Sequence, residues 1–398
     1  MSIAVGSRAL VQYIEETTFG TTPSTPNMTV MRIAGATPSL TRKTLQPAEI
    51  RYDRQIQDFR LGNKLVTGDL NLEFLYGDHD WLLQQALAGT WSSESSGTPN
   101  TLYAGQTAVL AEAYATGAGT AGPFTHTAAH TPIVPGSVSG VLADASTFTD
   151  DGNGGITGAN VSAGSVNYFT GAMSITTTGH NQTGAITVSY RYYSLNRRSF
   201  SLEVGFLDIV QYRLFKGCFF DKLAFDMKNG SIATIKATIM GQDAADSTSS
   251  AAASQTFPST NSPMDTFTGT VNEGGNPIAY LQSITMNLNL NEEAAEVVGS
   301  KLMYDHAGGR IDITGEVKAY FPDRTMLTKF LNETESELDI TLAGVPTNKT
   351  INVKLPRIKY TTGDVGVPNE KLLIQTLKWQ ALRDSTTGAE MILTRSNP

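Results

Sequence analysis

Thr67-Gly68-Asp69-Leu70-Asn71-Leu72-Glu73-Phe74 alternates apolar and polar side chains, the period of a strand with one buried face. Far downstream, Thr314-Gly315-Glu316-Val317-Lys318-Ala319-Tyr320 repeats the alternation and opens on the same Thr-Gly-acid-aliphatic order. Each strand leads through a short turn to one helix. The first is Asp80-Trp81-Leu82-Leu83-Gln84-Gln85-Ala86-Leu87, ending at Gly89. The second is Asp323-Arg324-Thr325-Met326-Leu327-Thr328-Lys329-Phe330-Leu331. Both place apolar residues at i, i+3 and i+4, and the Asp at each start predicts an N-cap. Trp81 belongs on the buried side of its helix.

The correspondence extends to both flanks. Pro38-Ser39-Leu40-Thr41 leads into a polar arm over 42–64, and Gln282-Ser283-Ile284-Thr285-Met286-Asn287-Leu288 leads into one over 291–310. After the helices, Phe200-Ser201-Leu202-Glu203-Val204 answers Glu337-Leu338-Asp339-Ile340-Thr341-Leu342. A hairpin from Gly217 to Met240, turning at Lys228-Asn229-Gly230, answers one from Leu355 to Ala381, turning at Val367-Pro368-Asn369-Glu370. Matching elements in one order indicate an internal duplication.

Two segments fall outside the repeat. Gln242 to Pro263 is rich in Ser, Ala and Thr and reads as a linker. Residues 93–196 interrupt the first copy between its helix and its next strand, opening on the flexible stretch 92–99. Short strands follow, separated by Gly and Asn, at 146–149, 164–168, 173–176 and 185–193. The pattern fits a small β-sandwich inserted at a surface loop. The expected organisation is therefore 1–92 and 197–241 for the first copy, 93–196 for the insertion, 242–263 for the linker and 264–398 for the second copy.

Composition sharpens this picture. Hydrophobic residues make up 40% of the 398, so the chain folds, but charged residues are only 17%, below the roughly 25% of an average soluble domain. A β-rich chain with few charges fits a surface largely covered by neighbouring subunits. The net charge of -8 argues against gripping nucleic acid, which takes Lys and Arg to neutralise phosphates. The single cysteine, Cys218, excludes an intrachain disulfide and sits in the apolar run 214–220 as a small buried hydrophobe. Met1 to Leu10 lacks a basic stretch before an apolar run, so no signal peptide is expected, and no run is long enough for a membrane span.

Candidate chemistry is sparse. Asp150-Asp151-Gly152-Asn153-Gly154-Gly155 lacks the Gly and the closing Glu of a calcium loop and reads as a turn. His126 and His130 have i, i+4 spacing but lie between prolines, in extended chain. Glu292-Glu293 and Asp150-Asp151 are adjacent, so in a strand they face opposite ways and gain nothing for acid–base catalysis. No catalytic, cofactor or metal site is expected, and no enzyme activity.

Tyr13-Ile14-Glu15-Glu16-Thr17-Thr18-Phe19-Gly20-Thr21-Thr22-Pro23 resembles the opening of siphophage tail tube proteins, the major tail proteins, with its acid-Thr-x-Phe-Gly-Thr-x-Pro run. Phe215-Lys216-Gly217-Cys218, with paired strands ending in Ile239-Met240-Gly241-Gln242-Asp243, is similar to their closing hairpin. The turn Gly164 to Gly171 resembles decoration domains of phage structural proteins. The resemblance implies a mainly β chain: two tandem tail-tube β-sandwich or barrel domains, each with one flanking helix, plus an inserted small β-sandwich. It implies a virion protein, assembled in the host cytoplasm, whose rings stack into a non-contractile tube. DNA passes through the lumen during ejection without specific binding, and the tape measure, tail terminator and distal tail proteins are expected partners.

Family rings close with six units, so a duplicated chain predicts homotrimeric, pseudo-sixfold rings, with hexameric rings as the alternative. The first arm carries Arg51, Arg54 and Arg60, and the second Glu292, Glu293 and Glu296. Their opposite charges suit contacts between chains or rings. Two other readings compete. One is a capsid decoration or baseplate protein. The other is a carbohydrate-binding β-sandwich with Tyr190, Tyr192 and Tyr193 as a stacking face.

Overall fold

The computed structural model describes residues 3–92, 99–178, 182–194, 198–278, 280–344, 349–363, 365 and 372–396. The 367–370 turn and most of the 92–99 stretch lie outside them. Among the described residues strand accounts for 56% and helix for 5%, in two α-helices. The protein is mainly β.

Its strand ladders come in two matching sets. In the first, Ala9–Glu15 pairs with Phe200–Phe206, which pairs with the first half of the long strand Gln211–Lys228; that half also pairs with Asp243–Ser247. In the second, Asp265–Glu273 pairs with Ser336–Ala343, which pairs with Thr350–Tyr360; that strand also pairs with Ile392–Arg395. The opposite layers match as well. Ser39–Leu45, Arg60–Glu73, Thr234–Gly241 and the second half of Gln211–Lys228 form one antiparallel run. Leu281–Asn289, Asp312–Tyr320, Ile374–Ala381 and the end of Thr350–Tyr360 form the other.

Alternation explains these elements. Val66, Leu70 and Leu72 of one strand, and Ile313, Val317 and Ala319 of its counterpart, are buried. The residues between them face the other side. Each fully buried Leu, Ile or Phe contributes about 1.5–3 kcal/mol, which fixes the register, because a slip by one residue would expose the whole face. The shared Thr-Gly pair has a steric reason. A Cβ on Gly315 would collide with the Trp379 ring and the Thr285 carbonyl, and one on Gly68 with the backbone of Thr37 and Pro38.

Each helix covers one open side of its sandwich. Asp80–Ala86 buries Leu82, Leu83 and Ala86, and Thr325–Leu331 buries Met326. The predicted caps shift. Asp80 is the first helical residue and pairs with Arg395 instead of capping. Asp323 precedes the N-cap Arg324, and its Oδ1 accepts the Thr325 N–H at 2.8 Å. Trp81 is half-buried and packs against the core.

The insertion has its own core around Tyr114, Phe148, Ile186 and Tyr190. Five strands, including the long Gln106–Thr120 and Gln182–Tyr193, face a three-stranded sheet. Its stem strand Asn100–Tyr103 pairs with Ile392–Arg395, so the second strand set holds the root of the insertion.

The segment read as a linker is instead pinned along the first set. Asp243–Ser247 extends the ladder, and Ser254–Thr256 runs parallel to Asn27–Thr29. The cause is polar. Buried Glu203 takes the Ser250 hydroxyl and the Ala251 N–H, both at 2.6 Å, and Gln12 Oε1 accepts from Gln255 Nε2 at 2.6 Å. The segment thereby completes the partners of a buried pair, since Gln12 Nε2 also donates to Glu203 Oε1 at 2.7 Å.

Candidate assembly interfaces

The two sets are joined by an ordinary sheet ladder. Lys222–Lys228 pairs antiparallel with Ser283–Asn289 in unbroken register, and the Leu290 N–H donates to the Asp221 carbonyl at 2.9 Å. The eight strands thus form one sheet that crosses the boundary between the sets. At its far end lies Ser39–Leu45, exposed along nearly all its length. The Thr37 N–H donates inward to the Asp69 carbonyl at 2.9 Å. Counting by twos, Ser39 and Thr41 also bond inward, so the backbone groups of Leu40 and Arg42 point outward. Such an edge is a template for another strand.

One face of the eight-stranded sheet is mainly polar, with Ala224, Met240 and Tyr320 as exceptions. Thr67, Asp69 and Asn71 begin it, Thr234, Lys236 and Thr238 continue it, and Thr285, Asn287, Thr314 and Glu316 carry it through the second set. Three of its lysines lie against carboxylates: Lys236 with Asp69 at 2.9 Å, Lys228 with Asp226 at 2.6 Å and Lys318 with Glu316 at 3.0 Å. The face is hydrophilic without a strong field of either sign.

The opening motif is explained by one buried carboxylate. Glu16 Oε1 accepts from the Ser201 hydroxyl at 2.6 Å and the Gly217 N–H at 2.9 Å. Its Oε2 accepts from the Ser199 hydroxyl at 2.7 Å and the Gly20 N–H at 2.8 Å. Gly20 and Gly217 both have positive φ, 70° and 60°, which glycine adopts without strain. Phe19 lies over Gly217, where a Cβ would come within 3.2 Å of its ring. The motif is a structural clamp on the bend of the long strand.

The arms differ in what they touch. The second, with strands Glu292–Ala295 and Asp305–Gly308, folds back onto the first set. The His306 ring stacks on Phe219 at 3.9 Å, its Nδ1 meets Glu292 Oε2 at 3.0 Å, and the Met303 carbonyl accepts from Gln242 Nε2 at 2.7 Å. Glu292 is thereby turned inward, whereas Glu293 and Glu296 are exposed. In the first arm Arg51 pairs with Asp53 at 2.9 Å, while Arg54 and Arg60 are exposed. The arm is less polar than its sequence suggested, because Ile50, Tyr52, Ile56 and Phe59 all project into solvent.

The sequence model described as phage tail tube protein matches residues 6–381. The chain belongs to that family. No curated relative matches it. As a tail tube protein it is a structural component of the virion tail that assembles with copies of itself.

Local packing accounts for the residues with candidate chemistry. In this tail tube protein Cys218 is fully buried, and burial, followed by the nearby Glu16 charge, pushes its thiol pKa well up; it packs and does not react. Asp151 Oδ1 accepts the N–H groups of Asn153 and Gly155 at 2.8 and 2.9 Å, closing a turn. His126 lies in a strand with its Nε2 2.7 Å from Glu112 Oε1. Burial opposes ionisation of Glu112, but hydrogen bonds from Tyr190 and His126 outweigh it and hold the carboxyl below its usual range. The three tyrosines do not form one exposed face. Tyr190 is buried, Tyr192 stacks on His130 at 4.7 Å, and the Tyr193 hydroxyl meets Arg383 Nη2 at 2.5 Å. Among the described residues no group of three metal-ligating side chains gathers, and no helix is long and apolar enough to cross a membrane.

Proposed function

We propose that each strand set is one tube domain and that three chains close a pseudo-sixfold ring, the rings stacking into the sheathless tail tube of a siphophage. The observation that carries this is the join of Lys222–Lys228 to Ser283–Asn289. This join supports a repeated contact, because the exposed edge Ser39–Leu45 occupies in the first set the place of Leu281–Asn289 in the second. Repeating the join from chain to chain is heterologous, and it ends only when a ring closes.

Geometry favours three chains. At about 4.8 Å between strands, twenty-four strands give a barrel about 37 Å across before tilt, and side chains take about 5 Å from each wall. The remaining bore, about 27 Å, passes a duplex about 20 Å wide. Two chains would leave about 14 Å. Six would leave a bore several times wider than the DNA.

The polar face lines this bore. Pairing of Lys236, Lys228 and Lys318 with carboxylates weakens the hold of this face on phosphate, so DNA is conducted and not held. The insertion projects outward, and the tape measure, terminator and distal tail proteins meet the tube at its ends. Assembly takes place in the host cytoplasm. A decoration or baseplate role would leave the edge strand without a partner, and a glycan-binding role would leave the eight-stranded sheet without a use.

Substituting Arg42→Pro tests the reading. The Arg42 N–H points outward and corresponds to that of Leu290, which bonds across the internal join, so proline removes a donor that the monomer does not use. Negative-stain images of the concentrated parent should show tubes of three chains per ring, and the variant should remain a folded monomer. Unaltered tubes from the variant would refute closure through this edge.

A further inference from the structure

The two arms are of nearly equal length, yet one is docked and the other is bare beyond its base, where Lys64 bonds to Lys301 and Asp243. Their residues can be matched by counting back from the strand that follows each, because Leu65 and Asp312 hold equivalent places, each two residues before the matched Thr67 and Thr314. His306 lies six residues before Asp312, and Phe59 six before Leu65. Met303 lies nine before Asp312, and Ile56 nine before Leu65. Met303 is 2% exposed and the His306 side chain 8%. Ile56 is 69% exposed and Phe59 53%, and the neighbouring Ile50 and Tyr52 are fully in solvent. Large apolar side chains grouped on one projecting element mark a binding surface.

We infer that the first arm docks on the second strand set of an adjacent copy of this chain, as the second arm docks on the first set of its own chain. This inference rests on the ring proposed above and names the contact that locks it. The receiving residues follow from the ladders. Phe219, on which His306 stacks, pairs with Met240, and its counterpart Lys359 pairs with Gln380. Gln242, which holds the Met303 carbonyl, directly follows the strand Thr234–Gly241, and Leu382 directly follows Ile374–Ala381.

The chemistry is complementary at each place. Within the chain, a histidine ring meets a phenylalanine ring. Between chains, the Phe59 ring meets the Lys359 ammonium, an aromatic face against a cation, and Ile56 meets the half-buried Leu382. Lys359 is available for this, since its Nζ lies 3.7 Å from Glu335 while Arg357 already holds that carboxylate at 2.6 Å. The docked second arm supplies the pattern, and charge is secondary: Arg54 and Arg60 flank the apolar contact and orient it.

Cross-linking distinguishes this contact from ring closure itself. The full-length Phe59→Cys, Lys359→Cys variant is assembled and treated with a short bis-maleimide; native Cys218 is buried and does not interfere. Covalent dimers and trimers on a denaturing gel are expected, and they should vanish when either cysteine is present alone. A His306→Cys, Phe219→Cys variant should cross-link within one chain and run as a monomer. Tubes of three-chain rings without covalent oligomers would overturn the arm placement and leave the ring intact. Absence of rings in the parent as well would overturn the ring reading on which the placement rests. As a second measurement, Ile56→Asp with Phe59→Asp should raise the concentration needed for assembly at least tenfold without shifting the monomer's thermal midpoint; an unchanged threshold would also refute the contact.

Discussion

The two strand sets match in their main ladders but hold their helices by different chemistry. In the first, Tyr13 stacks on Trp81 at 3.8 Å, and Glu15 Oε1 accepts from Trp81 Nε1 at 2.5 Å and from Gln85 Nε2 at 2.8 Å. In the second, Glu273 holds the place of Tyr13, since Tyr13 pairs with Leu202 and Glu273 with Leu338. There the Glu273 carboxylate binds Lys329 Nζ at 2.7 and 2.8 Å, the Ser336 hydroxyl at 2.6 Å and the Tyr360 hydroxyl at 3.1 Å. An aromatic stack and a half-buried ion pair do the same mechanical task. Backbone pairing and alternation define the architecture, and the contacts beneath the helix are interchangeable so long as buried polar atoms are satisfied.

The clamp at Glu16 has no such alternative, so the largest asymmetry is expected there. Glu16→Ala leaves four donors without their acceptor, at about 1–3 kcal/mol for each that stays buried. A loss of about 5 kcal/mol is expected in urea unfolding of the monomer. A loss below about 1 kcal/mol would show that the motif is not a clamp.

His79 gives the next effect, and it is confined to the first set. Its Nδ1 accepts the Leu75 N–H at 3.1 Å, so the ring is held neutral, and burial pushes its pKa down to about 4 from about 6.5. The unfolded chain therefore takes up a proton between those values and the native chain does not. Stability falls as pH drops from about 6.5 to about 4, by on the order of 3 kcal/mol, and this contribution is level on either side. His79→Gln should flatten that part of the profile relative to the parent when urea midpoints are compared at pH 7 and pH 4.5. Parallel profiles would contradict the assignment.

The smallest effect separates the two helix supports. Lys329→Met strands the Glu273 carboxylate and should cost about 2 kcal/mol, reduced from the value for a sealed pair because Lys329 is partly exposed. Glu273→Leu combined with Lys329→Met should return to within about 1 kcal/mol of the parent. A double variant as weak as the single one would mean that the ion pair is required and the supports are not interchangeable.

Where bulky residues alternate, the sequence was readable. The strands around Gly68 and Gly315, both helices and four strands of the insertion fell near their observed places because Leu, Ile, Val and Phe mark one face. The Gln106–Thr120 strand escaped notice because Ala, Gly and Thr fill most of it and Tyr114 is its one large buried residue. The 243–256 strands were taken for a linker because buried Glu203 and Gln12 hold them by hydrogen bonds, which leave no hydrophobic period. Of the candidate assembly surfaces, the charges on the arms were visible. Which arm lies bare, and that Ile56 and Phe59 lie on its surface, depends on tertiary packing that no local pattern records.

The stem of the insertion has a kinetic consequence. Asn100–Tyr103 completes its ladder only with Ile392–Arg395, and Asp80 reaches Arg395 across 315 residues. Contacts so distant in sequence close slowly, because the intervening chain must be ordered first. During synthesis the first helix and the root of the insertion therefore wait, incompletely sealed, until nearly all of the described chain has been made.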